Sequence, residues 1–273
     1  MRRPVLALLF ALLIAACSQV ALTGRSQLLL VSDAQMAQLA KQSRAKFLQD
    51  ADKQQALVTE SDGESGKYLP MVQRVSTRIV QAAGLEKRAD WRVFLVRSKD
   101  VNANASADGT IVVYTGILPV AQSEAGLAVI LGHEVSHVVA RHSGERLSQT
   151  LIAQNVTNVA AAVASPAYQG VVGAALGLGS QYGVLLPYSR AHESEADHLG
   201  IYFMAKAGYD PAEAPRLWER MSAGSKGSAP PEFMSTHPSD ATRIAQLRAW
   251  LPDARRYYDD QSLPLPAVIG GAR

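Results

Sequence analysis

The sequence predicts an α+β fold, mostly helical, with a small sheet. Three observations carry that expectation. Apolar residues recur at helical spacing, as in Leu69, Val72, Val75 and Ile79. Strand-forming runs fall in one region, between Trp91 and Thr115. And a helix that is apolar on nearly every side, with Leu127, Ile130, Leu131, Val135, Val138 and Val139, has two histidines and a glutamate set into it. A helix apolar all round is a buried helix, and buried ionisable groups need something to satisfy them.

The composition fits one globular domain of moderate size. Hydrophobic residues at 48% against 19% charged make the chain too apolar for disorder. The formal charge is +3 with no basic patch, so nucleic acid is not implied as a partner.

The elements follow in order. Arg2-Arg3 and the apolar run Val5 to Ala16 have the layout of a signal peptide, with a run too short for a stable membrane span. Ile14-Ala15-Ala16-Cys17 resembles a bacterial lipobox, which makes Cys17 an acylated first residue. It is the sole cysteine, and with Cys17 acylated no disulfide can form. Residues 1–16 are thus expected as signal peptide and 17–31 as a lipidated tether. Ser32-Asp33-Ala34-Gln35 is a capping box opening a helix to about Phe47. Residues 50–66 are polar and read as loop, and a helix spans Tyr68 to Ala83. Trp91–Val96 is a strand. Asn102–Ala105 and Thr110–Thr115 form a hairpin around Asp108-Gly109. Gly116 to Pro119 turns the chain into the buried helix, which Ser123-Glu124 starts.

From Leu147 to Leu186 the chain is rich in Ala, Val and Gly and is interrupted by Pro166. Packed small-residue helices and loops near the cleft suit it better than a membrane-touching hairpin. Ser189 caps the next helix, and Asp210-Pro211 starts another. A Gly/Ser/Pro loop, Ser222 to Pro231, leads to His237-Pro238 and a helix to Trp250. The main domain is expected over 32–251, with a loose Pro-rich tail over 252–273.

His133-Glu134-Val135-Ser136-His137 reads H-E-x-x-H. Histidines four apart share one helix face, so two imidazoles can hold one zinc ion with Glu134 beside its water. In the helix after Ser189, the stripe Glu193, Ala196, Asp197, Gly200, Ile201, Met204 points two carboxylates at the core. Buried carboxylates need cations or donors. One cation serves His133, His137 and Glu193 together, with water in the open fourth position. Asp197 then accepts the second ring N–H of a ligand histidine. Glu195 and His198, off the stripe, are expected on a solvated face. The bland alternative has the histidines bonded to each other or to backbone.

HEVSH at 133–137 followed by ESEAD at 193–197 resembles the gluzincin peptidases of the HtpX and CAAX-prenyl-endopeptidase type. Gly132, Arg141-His142 and Ser189-Arg190 match as well, and the resemblance runs from about Ser32 to Leu251. Metzincins are excluded, because their glycine and third histidine are replaced by Ala140 and Ser143. The resemblance implies a zincin-like metallopeptidase domain with a single Zn2+ on His133, His137 and Glu193, and Asp197 behind them. It implies that Asn102-Ala103 lies on an edge strand that pairs with an extended peptide substrate. It also places His237 near the metal as a gate and Arg243 in the site, steadying the oxyanion.

Together with Cys17, the chain resembles outer-membrane lipoprotein peptidases of the LoiP and BepA type, without a repeat domain. Ser18 after Cys17 favours the outer membrane. The expected function is a lipid-anchored zinc endopeptidase of the bacterial envelope, facing the periplasm. Its expected substrates are misfolded or stalled outer-membrane proteins. The alternative is a metal-binding envelope chaperone or assembly factor with little routine cleavage.

Overall fold

A computed structural model describes residues 17–20, 22–153, 165, 189–224, 232–237 and 241–266. The expected signal peptide and most of the Ala/Val/Gly-rich segment lie outside the described residues.

The chain enters through an antiparallel hairpin, β1 (Cys17–Gln19) and β2 (Ser26–Leu28), with Cys17 opposite Leu28. The stretch expected as a tether is therefore part of the fold. Val20, Gln27 and Val31 are buried in it, and the Leu30 N–H donates to Ser148 Oγ at 2.9 Å.

Helix α1 (Asp33–Lys53) starts at the capping box, where the Ser32 N–H donates to Gln35 Oε1 at 2.9 Å. It runs beyond Phe47 into residues expected as loop. Phe47 packs on Val96, Val112 and Tyr114, and Ala51 is buried too, so tertiary contact extends the helix past the apolar sequence pattern. After the short α2 (Gly63–Gly66), α3 (Leu69–Ala82) buries Val72, Val75 and Ile79 completely.

Strands β3 (Arg92–Val96), β4 (Ala103–Ala105) and β5 (Thr110–Tyr114) form a sheet in the order β3-β5-β4. β3 runs parallel to β5, and β4 antiparallel to it at the edge. The β4–β5 turn needs glycine: Gly109 has φ +83° and a Cβ there would lie 2.8 Å from Ala89 Cβ.

A 3-10 turn at Thr115–Ile117 and the short α4 (Leu118–Ala121) bend the chain by 118° into α5 (Glu124–Val139). Ser123 caps α5 by accepting from the Gly126 N–H at 3.0 Å. α6 (His142–Ala153) follows after Arg141 at φ +57°. α7 (Arg190–Lys206) is capped by Ser189, which accepts from the His192 N–H at 3.2 Å. Then come α8 (Glu213–Gly224), α9 (Glu232–Thr236) and α10 (Ala241–Asp259).

α10 corrects the expectation of a loose tail from Pro252. The helix passes through Pro252, with Trp250 and Ala254 buried on either side, and Tyr257, Tyr258 and Leu265 pack on the core. That packing offsets the hydrogen bond a mid-helix proline removes. Among the described residues, no single helix is long and apolar enough to cross a membrane.

The core is built where α5 crosses α7. A Cβ on Gly132 would lie 2.9 Å from the Gly200 carbonyl oxygen, so the two backbones touch. Paired glycines at the crossing bring the histidines of one helix against the carboxylates of the other.

Candidate metal centre

His133 and His137 leave α5 one turn apart, and Glu193 meets them from the first turn of α7. The His133 and His137 Nε2 atoms are 3.1 Å apart. Glu193 lies 3.4 Å from His133 Nε2 and 3.6 Å from His137 Nε2. His237, just past α9, adds Nδ1 at 3.1 Å from His133 Nε2 and 3.0 Å from Glu193 Oε1. One donor atom from each of the four buried residues lies within 4.8 Å of the others. Donors about 2.1 Å from a tetrahedral ion stand about 3.4 Å apart, so this donor set fits zinc.

The electrostatics agree with a cation there. Burial disfavours a charged His133, but Glu193 and Asp197 outweigh burial and hold its pKa up at about 9. His137 is pushed well below the ordinary histidine value, by burial first and then by His133, His142 and His237. Burial raises the Glu134 carboxyl against the pull of His237 and His133. Its Oε1 is buried without a hydrogen-bond partner and lies 3.4 Å from His237 Nε2.

Asp197 Oδ1 lies 2.9 Å from His133 Nδ1, so the ring N–H goes to Asp197 and Nε2 faces the cluster. Arg243, expected to steady the oxyanion, is engaged by the carboxylates of the site. It is buried, forks onto Asp197 at 2.6 and 2.8 Å, sets Nη1 2.9 Å from Glu193 Oε2, and lies 4.0 Å over the Trp218 ring. The guanidinium thus links the Asp197 and Glu193 carboxylates.

Asn102 and Ala103 stand at the start of the edge strand, both buried, with Asn102 Oδ1 accepting from the Ala103 N–H at 2.9 Å. The Ala105 backbone N–H supports the Glu134 carboxylate, which sets β4 beside that residue. A cavity of about 380 Å³ extends from Ala105 past Trp91, Leu85 and Met36 to His137 and Val138.

Glu195 and His198 are not on a solvated face. Both are buried, because α7 is covered on every side from Glu195 to Ala205. Glu195 accepts from His142 Nε2 at 2.8 Å, and His198 stacks on Trp250 at 4.1 Å. Sequence reasoning gave His142, Glu195 and Arg25 no role. The signal it passed over was the apolar run Leu199 to Ala205, which leaves α7 no solvent face.

A family profile described as Peptidase family M48 matches residues 69–251. The chain is 40% identical over 186 residues to Mitochondrial metalloendopeptidase OMA1 of Schizosaccharomyces pombe, covering 67% of this chain and 53% of that protein. It is 30% identical over 210 residues to the protein of the same name in Saccharomyces cerevisiae, covering 69% and 57%. It is 29% identical over 186 residues to the Beta-barrel assembly-enhancing protease of Escherichia coli, covering 65% and 37%. The chain therefore spans about half the length of the two yeast relatives. The bacterial outer-membrane location expected from the lipobox-like run is corrected here, because the relatives of higher identity are named as mitochondrial proteins. The residues of the metal cluster within 69–251 lie inside the matched span, and the chain belongs to peptidase family M48.

Proposed function

We propose that this chain is a zinc-dependent endopeptidase that cuts extended or misfolded segments of other proteins. The observation that carries the reading is the convergence of His133, His137 and Glu193, with the Glu134 carboxylate beside them and its Oε1 without a hydrogen-bond partner. A bound zinc ion supplies Lewis-acid activation of water and of the scissile carbonyl. Glu134 takes a proton from the attacking water and later delivers it to the leaving amine. Asp197 keeps the His133 proton on Nδ1, and Arg243 holds Asp197 and Glu193 together. The β4 edge pairs with extended substrate, and the neighbouring cavity accepts an apolar side chain. Acylation of Cys17 rests on the lipobox-like run alone, and lipid labelling of wild type beside Cys17→Ser tests it.

His237 supplies a fourth donor where catalysis needs an open position. In this reading the resting enzyme is latent and His237 withdraws to open it, so His237→Ala raises basal peptide turnover at unchanged zinc content. The same closed arrangement favours the rival reading, a metal-binding chaperone that seldom cuts. Casein cleavage by zinc-loaded wild type and Glu134→Gln separates the two. The peptidase reading expects wild-type cleavage and a loss of about 10²–10⁴-fold or more in the variant. Equal cleavage by both proteins, or none by wild type and His237→Ala alike, refutes it.

A further inference from the structure

His133 has a carboxylate behind it, but His137 has another histidine. The Nδ1 atoms of His137 and His142 lie 2.8 Å apart. Two ring nitrogens at that distance share one proton. With His137 Nε2 turned to the metal cluster, His137 Nδ1 carries the proton and His142 Nδ1 accepts it. His142 then holds its own proton on Nε2 and donates it to Glu195 Oε2 at 2.8 Å. Glu195 also accepts from the Thr23 hydroxyl and from Arg25 Nε at 2.7 Å. The other side of the same guanidinium forks onto Glu145 at 3.0 and 2.8 Å. Glu145 in turn accepts from His192 Nε2 at 3.0 Å, and the His142 and His192 rings stack at 4.3 Å. The relay behind His137 thus ends in the turn between β1 and β2, where the Val20 N–H donates to the Arg25 carbonyl at 2.8 Å. That hairpin precedes the matched family span of 69–251.

We propose that Arg25, from the N-terminal hairpin, is a positioning residue for the metal centre: it fixes Glu195 and, through His142, sets the tautomer and direction of the metal ligand His137. The inference rests on the metallopeptidase reading and extends it to a segment outside the family match. One planar guanidinium bridges two carboxylates that are 8% and 6% exposed, a geometry a lysine ammonium cannot reproduce. Without it, Glu195 is released to turn from His142. His142 then loses its acceptor and can place its proton on Nδ1, facing His137. The His137 proton moves to Nε2, where it competes with the metal. Partners behind a metal ligand are worth about 10–100-fold in metal affinity.

The test uses the full chain with zinc alone as the ligand. Zinc release to a chelator is measured for wild type, Arg25→Gln, Arg25→Lys, Glu195→Gln and the double variant Arg25→Gln/Glu195→Gln. Arg44→Gln is the control, since Arg44 pairs with Asp108 at 2.8 Å with similar burial but away from the cluster. The expected result is release about 10–100-fold faster in Arg25→Gln and Glu195→Gln, with incomplete rescue by Lys. The double variant should be no worse than Glu195→Gln alone, because the two residues act in one relay. At saturating zinc, kcat falls while KM stays. Wild-type release rates in both Arg25→Gln and Glu195→Gln overturn the proposal, as does equal acceleration by Arg44→Gln. Should Arg25→Gln fail to fold, Glu195→Gln and Arg25→Lys carry the same readout. A wild type that binds no zinc overturns the peptidase reading and this inference together, whereas a zinc-binding wild type with unaltered variants overturns only the inference.

Discussion

Gly200→Ala probes the crossing that brings the two halves of the site together. A Cβ at residue 200 would lie 2.9 Å from the His133 backbone nitrogen and 3.0 Å from the Gly132 carbonyl carbon. Comfortable contacts begin near 3.5 Å, so α5 and α7 must part by about 0.5 Å. Overpacking of this kind costs about 1–3 kcal/mol. Alanine returns about 1 kcal/mol through its better helix propensity. The net loss is about 0–2 kcal/mol, a fall in Tm of up to about 8 °C for a domain of this size. The metal centre should suffer more than the fold. Its ligands come from both helices, and a metal site tolerates only about 0.2 Å in its distances. Zinc affinity is therefore expected to fall about 10-fold or more, read by competition with a chromophoric chelator beside a thermal melt. A variant with a raised Tm and wild-type zinc affinity would refute the idea that this contact registers the ligands.

Three further outcomes follow from the geometry. Asp197→Ala should raise the zinc Kd about 10–100-fold, and Arg243→Ala should move it in the same direction, since Arg243 secures Asp197 and Glu193. Equilibrium dialysis showing unchanged zinc binding in Arg243→Ala would restore an oxyanion role. Zinc binding near pH 7.5 should release about one proton from His133, whose pKa is held at about 9 before metal enters. Calorimetry in buffers of different ionisation heat checks this, and heats independent of buffer contradict it. Burial lowers His198 to about 4 from 6.5. Between those values the unfolded chain binds more protons, so stability is lost as pH falls, by about 3 kcal/mol at most. The stability of wild type relative to His198→Asn should drop from pH 7 to pH 4 in urea unfolding, and a difference independent of pH would contradict the assignment.

The helical part of the site was legible because helix periodicity is local. Four-residue spacing put His133 and His137 on one face, and the stripe from Glu193 to Met204 pointed Asp197 at the core, where it meets His133. The sheet was legible for the same reason, through β-branched runs and the Asp108-Gly109 turn. What stayed hidden depends on segments distant in sequence. Glu195 lies off the stripe, and the hairpin and His142 pack over it. Arg243 was placed in the site, but its fork onto Asp197 follows from how α10 lies against α7. The length of α1 and the helix through Pro252 depend on tertiary contacts of Phe47, Ala51, Trp250 and Ala254 that no local pattern carries. The lipobox-like run is a local signal as well, and it misdirected the expected location.

The proposed assignment gives the metal to His133, His137 and Glu193, with His237 added in the resting state, and not to Glu134 or Asp197. A crystal of the zinc-loaded protein, measured on both sides of the zinc absorption edge, tests it directly. One anomalous peak per chain is predicted within bonding distance of His133 Nε2, His137 Nε2, a Glu193 oxygen and, in the latent resting state, a His237 ring nitrogen, with Asp197 bonded to His133 Nδ1. A peak bonded to Asp197 in place of Glu193, or no peak at this cluster, would contradict it.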